Sequence, residues 1–268
     1  MIKIGFIGAG NIVNSILTGM SIKKKVDMSS IYINDISGDA KERLCIEFGV
    51  NCAKDNIDVV KKCDFIFLAI KPQYYKDTIE EISPYLTENK TSIIIAPGFT
   101  IEKYKGIAGK NVKVVRAMPN TPAIVGEAMT GVSYNRKEFT KEEENNIIDI
   151  FESFGKIQVI DEAFMDTIVA VSSSAPAYVY IMIEAMGDAG VLTGLPRNIA
   201  YKMAAQAVAG AAKVVYDTDI HPGALKDAVC SPGGTTIEAV KVLEDRGFRS
   251  ALIESMNACY NKTKELNN

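Results

Sequence analysis

Hydrophobic positions in the first 160 residues fall in short runs separated by stretches of helical length. Lys3 to Ile7, Ile31 to Asn34, Phe65 to Ile70, Ser92 to Ala96, Lys113 to Ala117 and Gly131 to Tyr134 are rich in β-branched residues and read as strands. The run Phe65-Ile66-Phe67-Leu68-Ala69-Ile70 has no polar face, so that strand must be covered on both sides. A parallel sheet with crossover helices meets this demand, and the pattern predicts a doubly wound α/β domain over residues 1–160. Further on, the runs give way to alanine-rich helical periodicity from Asp166 onward, over Pro176 to Met186, Pro196 to Tyr216 and Thr236 to Glu265. Residues 161–268 are therefore expected to form a second, all-α domain. Within it, Ala204, Ala205, Ala207, Ala209, Gly210, Ala211 and Ala212 would let neighbouring helices approach closely. An interlocked dimer and a tightly packed monomer core both fit that composition.

Composition narrows the function classes. A length of 268 residues and a formal net charge of −3 describe an ordinary globular protein, with no electrostatic case for nucleic acid. The cluster Lys23, Lys24, Lys25 reads as a solvated loop. The chain opens on a strand-like run, not a signal-peptide pattern, and its long apolar runs are expected to be broken by charge before membrane-spanning length. Cytoplasm without membrane association is the resulting expectation. Cys45, Cys52, Cys63, Cys230 and Cys259 lack the close pairing of zinc sites, and the chain has one histidine, so no metal is expected. The cysteines read as reduced thiols, mostly buried.

Two glycine-rich segments carry candidate chemistry. Gly8-Ala9-Gly10 follows the first predicted strand and precedes a helical pattern beginning near Asn11, the context of a dinucleotide-binding loop. Its third fingerprint position is Val13, where a small residue would let helix and strand pack closely. After the second strand, Asn34-Asp35-Ile36-Ser37 offers an acid suited to a free 2′-hydroxyl and amide and hydroxyl donors suited to a 2′-phosphate. Lys41 is the first cation after that strand. Ala69-Ile70-Lys71-Pro72 and Ala96-Pro97-Gly98 close the third and fourth strands, where loops should line the cofactor crevice. The second segment, His221 to Glu244, sets Ser231-Pro232-Gly233-Gly234-Thr235-Thr236 before an apolar-periodic helix. Thr235 or Thr236 is expected to cap that helix, with Thr235 and Glu238 at capping-box spacing. Its first amides could hold a small carboxylate or phosphate, although an ordinary capped surface helix fits the segment equally well. His221-Pro222-Gly223 reads as a helix-linking turn.

Taken together, FIGAGN near the start, AIKP at 69–72, RAMPNTPA at 116–123, SSSAPAYV at 172–179, GLPR at 194–197 and HPGALKDAVCSPGGTTIEAV at 221–240 resemble the pyrroline-5-carboxylate reductase family over nearly the whole chain. The resemblance implies a Rossmann-type N-terminal domain and an all-α C-terminal dimerisation domain. The implied activity is hydride transfer from NADPH, with NADH also accepted, to the C=N bond of 1-pyrroline-5-carboxylate, giving L-proline in the last step of proline biosynthesis. It also implies a homodimer through the C-terminal helices, with a decamer of dimers as a larger assembly. Cofactor contacts are expected from Ile7, Gly8, Ala9, Gly10, Asn11, Ile12, Asn34, Asp35, Asn56, Ala69, Ile70, Lys71, Pro72, Ala96, Gly98, Asn120, Ser173, Ser174 and Pro176. Substrate contacts are expected from Glu162, Ser231, Gly233, Gly234, Thr235 and Thr236, with the Thr236 hydroxyl near the imine nitrogen. A threonine hydroxyl is a poor acid at neutral pH, so Thr236 is read as a positioner, the proton coming from solvent or already on the imine. Val13, Pro97 and Asp35 depart from the family pattern, all on the cofactor side. A β-hydroxyacid dehydrogenase is the nearest rival, but Ala175 to Met186 lacks the lysine base of those enzymes. A non-catalytic nicotinamide sensor is the other.

Overall fold

The computed structural model describes residues 2–267. Its sheet unit contains β1 (Ile4–Ile7), α1 (Asn11–Lys23), β2 (Ile31–Asn34), α2 (Gly38–Phe48), β3 (Asn51–Cys52), α3 (Asn56–Lys62), β4 (Phe65–Leu68), α4 (Tyr75–Ile82), β5 (Thr91–Ile94), α5 (Ile101–Ala108), β6 (Lys113–Met118), β7 (Ala128–Ser133), α6 (Lys141–Glu152), β8 (Gly155–Val159) and α7 (Met165–Ile168). The strands form one sheet in the order β3-β2-β1-β4-β5-β6-β7-β8. All neighbours are parallel except β6 and β7.

Alternation along the buried strands divides the core in two. Ile4, Phe6, Phe65, Phe67, Ile93 and Val115 belong to one cluster, whereas Ile7, Ile66, Leu68, Ile94 and Val114 belong to another. Each strand thus buries both its faces, the reason its sequence reads as an unbroken apolar run. Val13 lies fully buried in the first cluster, which also holds the small residues Ala9, Ala117 and Ala123. The chain leaves β1 toward β2 on one side and returns to β4 on the other, so the switch point lies at the carboxyl end of β1.

The second unit carries α8 (Ala175–Leu192), α9 (Arg197–Thr218), α10 (Pro222–Val229), α11 (Thr235–Asp245) and the first part of α12 (Phe248–Asn267). The compact units divide after Ser174, and the segment from Cys259 belongs with the sheet unit. A five-residue π turn, Val169–Ser173, precedes α8. The single helix expected over Thr236 to Glu265 is two, separated at Gly247, which has φ +70°. The turn at His221 opens α10, where the imidazole Nδ1 accepts from the Gly223 amide at 3.0 Å.

Two further expectations are corrected, and one of two open alternatives is closed. Cys45 on α2 and Cys52 on β3 are joined as a disulfide, and Cys63 is the one buried free thiol among the described residues. Burial pushes the Cys63 thiol up to about 12. The helical run Glu162–Leu192 is long and apolar enough to cross a membrane by length and composition, so charge does not break every long apolar run. Finally, Ala205, Ala207, Ala209, Ala211 and Ala212 are exposed, so the small-residue stretch is not a monomer core. Close packing occurs elsewhere in this unit, where a Cβ on Gly187 would lie 2.4 Å from the Tyr201 ring.

Candidate active site

In the sheet unit, the candidate cofactor site is built on the β1–α1 loop. Gly8 has φ +111°, and a Cβ there would lie 2.4 Å from the Ala69 carbonyl oxygen, so no other residue fits between β1 and β4. The Gly8 amide donates to the Asn34 carbonyl at 2.7 Å, and the Ala9 amide donates to Asp35 Oδ2 at 2.7 Å. Gly10 is the N-cap of α1; no side chain caps this helix and its first turn holds no acid. The amides of Asn11, Ile12 and Val13 are therefore left for an anion at the positive end of the helix. A Cβ built on Gly10 meets nothing within 4 Å, so the space above those amides is an open cradle that a pyrophosphate fits.

At the end of β2, Asn34 Nδ2 donates to Asn56 Oδ1 at 2.8 Å, and Asn56 Nδ2 donates to Glu81 Oε2 at 2.8 Å. Lys41 Nζ reaches Asn34 Oδ1 at 3.4 Å and the Ala53 carbonyl at 3.1 Å. The structure thus brings Asn34, Asn56 and Lys41 together beside Asp35. Ala69, Ile70, Lys71 and Pro72 follow β4, and Ala96 and Gly98 follow β5. Both strand ends are held by Tyr75, a fully buried residue that sequence reasoning missed. Its hydroxyl donates to the Leu68 carbonyl at 2.7 Å and accepts from the Ile95 and Ala96 amides at 3.2 Å. No local pattern marks such a residue, because its partners belong to two other strand ends.

Several predicted residues have internal partners. Asn120 accepts from the Met129 amide and donates to the Ser172 carbonyl, both at 3.0 Å, so its amide holds the turn after β6 to the π turn. Ser174 Oγ lies 3.3 Å from Cys259 Sγ, whereas the buried Ser173 hydroxyl has no hydrogen-bond partner. Glu162, expected to contact substrate, has partners within the sheet unit: its Oε1 accepts from the Ile101 amide at the start of α5 at 2.8 Å and lies 3.5 Å from Arg116 Nη1. Arg116, buried on β6, also pairs with Asp166 at 2.6 Å. That guanidinium was another residue missed, since its partners lie about fifty residues further along the chain.

The helical unit carries Pro176, in the first turn of α8, and the second glycine segment. Gly233 turns with φ +67°, and Gly234, not a threonine, is the N-cap of α11. No side chain caps the helix, so the expected capping box is absent; Thr235 and Thr236 stand at its first two positions. A Cβ on Gly234 would lie 2.4 Å from Ser231 Oγ and 3.2 Å from the Ser231 carbonyl oxygen, so a larger residue would have to turn the Ser231 hydroxyl away. The missing cap matters chemically. It leaves the amides of Thr235, Thr236 and Ile237 available to an exogenous carboxylate, with the Ser231 and threonine hydroxyls nearby in sequence.

An amide cradle at the switch point of a doubly wound sheet is how Rossmann-type oxidoreductases hold a dinucleotide, and the sheet unit falls in that class. Residues 3–98 match the family model for NADP oxidoreductase, coenzyme F420-dependent. Residues 162–266 match the model for pyrroline-5-carboxylate reductase dimerisation. The pyrroline-5-carboxylate reductase of Escherichia coli is 46% identical over 98% of both chains. That of Glycine max is 40% identical over 98% of this chain and 95% of its own. The crystal structure of Plasmodium falciparum pyrroline carboxylate reductase with NADP bound superposes with a TM-score of 0.89, at 31% identity, covering 100% of this chain and 98% of that one. The chain belongs to the pyrroline-5-carboxylate reductase family, and it is an oxidoreductase.

Proposed function

We propose that this enzyme reduces the C=N bond of 1-pyrroline-5-carboxylate to L-proline with NADPH, NADH serving as a second cofactor. The start of α11, left uncapped by any side chain, carries the substrate reading, because the product and the imine share a small carboxylate that such amides bind. In this reading Ser231, Gly233, Gly234, Thr235 and Thr236 hold the carboxylate, and the Thr236 hydroxyl fixes the ring nitrogen. Hydride comes from the nicotinamide when the cofactor is bound. The protein's task is to orient the ring and favour the protonated imine. Loss of a donor aimed at the developing charge costs about 2 to 4 kcal/mol of transition-state stabilisation.

On the cofactor side, the Asn11, Ile12 and Val13 amides take the pyrophosphate, and Lys41 supplies the cation near the 2′ position. The internal partners of Glu162 suit a residue that orders the start of α5 more than one that reaches substrate directly. A homodimer in the cytoplasm completes the proposal. Tyr180, Ile181, Leu192, Met203 and Val242 are large apolar side chains left exposed on the helical unit, a surface that a second copy of the chain would cover. Further assembly into a decamer of dimers is compatible with it.

The test follows NADPH and NADH absorbance with 1-pyrroline-5-carboxylate, and with 2-hydroxy acids and oxidised cofactor as the contrast. Imine-dependent oxidation of NADPH is expected; none with either cofactor sinks the reading. Thr236→Ala should lower turnover far more than it weakens NADPH binding.

A further inference from the structure

Asp35 directly follows β2, and the structure gives it a task other than meeting the ribose. Its Oδ2 accepts from the Ala9 amide and its Oδ1 from the Ser37 amide, both at 2.7 Å. One carboxylate therefore ties the β1–α1 loop to the turn after β2, across 26 residues of sequence. The Ala9 amide is already engaged by that bond, which leaves anion binding to the first turn of α1.

We infer that Asp35 is a positioning residue for the cofactor's pyrophosphate, acting through the Ala9 backbone and not as the group that distinguishes a 2′-hydroxyl from a 2′-phosphate. The inference rests on the reading of the sheet unit as a nicotinamide-cofactor site and deepens it. An ionised carboxylate can accept from both amides at once. An asparagine in its place presents one oxygen and one NH₂, so either Ala9 or Ser37 faces a donor with a donor.

The experiment is cofactor binding by the full-length Asp35→Asn protein, read from the fluorescence of the reduced nicotinamide. The chain has no tryptophan to interfere. NADPH and NADH dissociation constants should rise together, by about tenfold, the scale of one charge-assisted hydrogen bond. Displacement of NADPH by 5′-ADP should weaken in step, whereas displacement by adenosine 2′-monophosphate, which lacks the pyrophosphate, should not. A changed NADPH to NADH ratio would assign Asp35 to the 2′ position and overturn the inference. So would unchanged constants, or equal losses with both adenosine probes, the mark of local unfolding. If the unsubstituted protein binds neither NADPH nor NADH, the functional reading itself falls, and this inference with it.

Discussion

Tyr75→Phe removes one oxygen and leaves three main-chain groups without a partner. The Leu68 carbonyl and the Ile95 and Ala96 amides all bond to the Tyr75 hydroxyl, and the residue is wholly inaccessible to solvent. Water cannot replace the lost oxygen unless the strand ends part. At about 1 kcal/mol for each stranded group, the low end of the range for buried polar groups, the loss is about 3 kcal/mol. For a unit of this size, that lowers the melting temperature by about 6 to 12 °C. The natural control is Tyr104→Phe, whose hydroxyl makes a single bond to Ser92 Oγ at 2.6 Å, so about 1 kcal/mol is expected there. Burial pushes both phenols above their ordinary range, so neither bond is lost by ionisation in mildly alkaline buffer. Thermal and urea unfolding of the two variants give the comparison, and NADPH binding gives the functional arm. Ala69 and Ala96 begin the crevice loops that these bonds anchor, so Tyr75→Phe should weaken NADPH and Tyr104→Phe should not. Equal melting temperatures for the two variants would refute the reasoning.

Three further outcomes are expected. The denatured, unreduced protein should titrate three thiols, because Cys45 and Cys52 are bonded; reduction should cost about 2 kcal/mol of stability, and Cys52→Ser should show that loss and no response to reductant. Burial alone would raise the Glu143 carboxyl, but the Lys113 ammonium and the Thr140 amide bring it below its ordinary value. Its contribution is therefore complete above the ordinary carboxylate range and lost as pH falls through the lowered value. Glu143→Gln should lower the urea midpoint near pH 7, and by less as pH falls through the lowered value. Ile181 is 67% exposed on α8, so Ile181→Glu should convert a dimer to a monomer by light scattering while preserving the helical signal; a dimer that persists would remove α8 from the interface.

The fold was legible where one pattern covered one element. Buried strands of four to six residues gave unbroken apolar runs, and the β1–α1 loop announced itself by glycines between a strand and a helix. β3 has two residues and cannot show a period. β8 alternates, with Lys156 and Gln158 exposed, and is an edge strand whose short pattern resembles a loop. The cap of α11 was misread because threonine is a good N-cap, yet Gly234 already has the extended angles of that position. The tasks of Asp35, Glu162 and Arg116 were hidden for a different reason. Their defining partners, Ala9, Ile101 and Asp166, lie 26 to 61 residues away, and no local spacing encodes such approaches.

The run Glu162–Leu192 shows why length and apolarity alone do not determine an environment. Only 11% of its most apolar window is buried within the chain, so a large apolar surface does await a cover. A bilayer is a poor one. Glu184 and Asp188 are exposed on α8, and Asp188 is paired with Arg197. Each charge would cost about 3 kcal/mol at a bilayer centre. Against a protein surface the same charges can lie at a wet rim while Tyr180 and Ile181 are buried, the arrangement of apolar core and polar edge that subunit interfaces have. The match of residues 162–266 to the dimerisation model points the same way, and it places the whole of this apolar run within the matched segment.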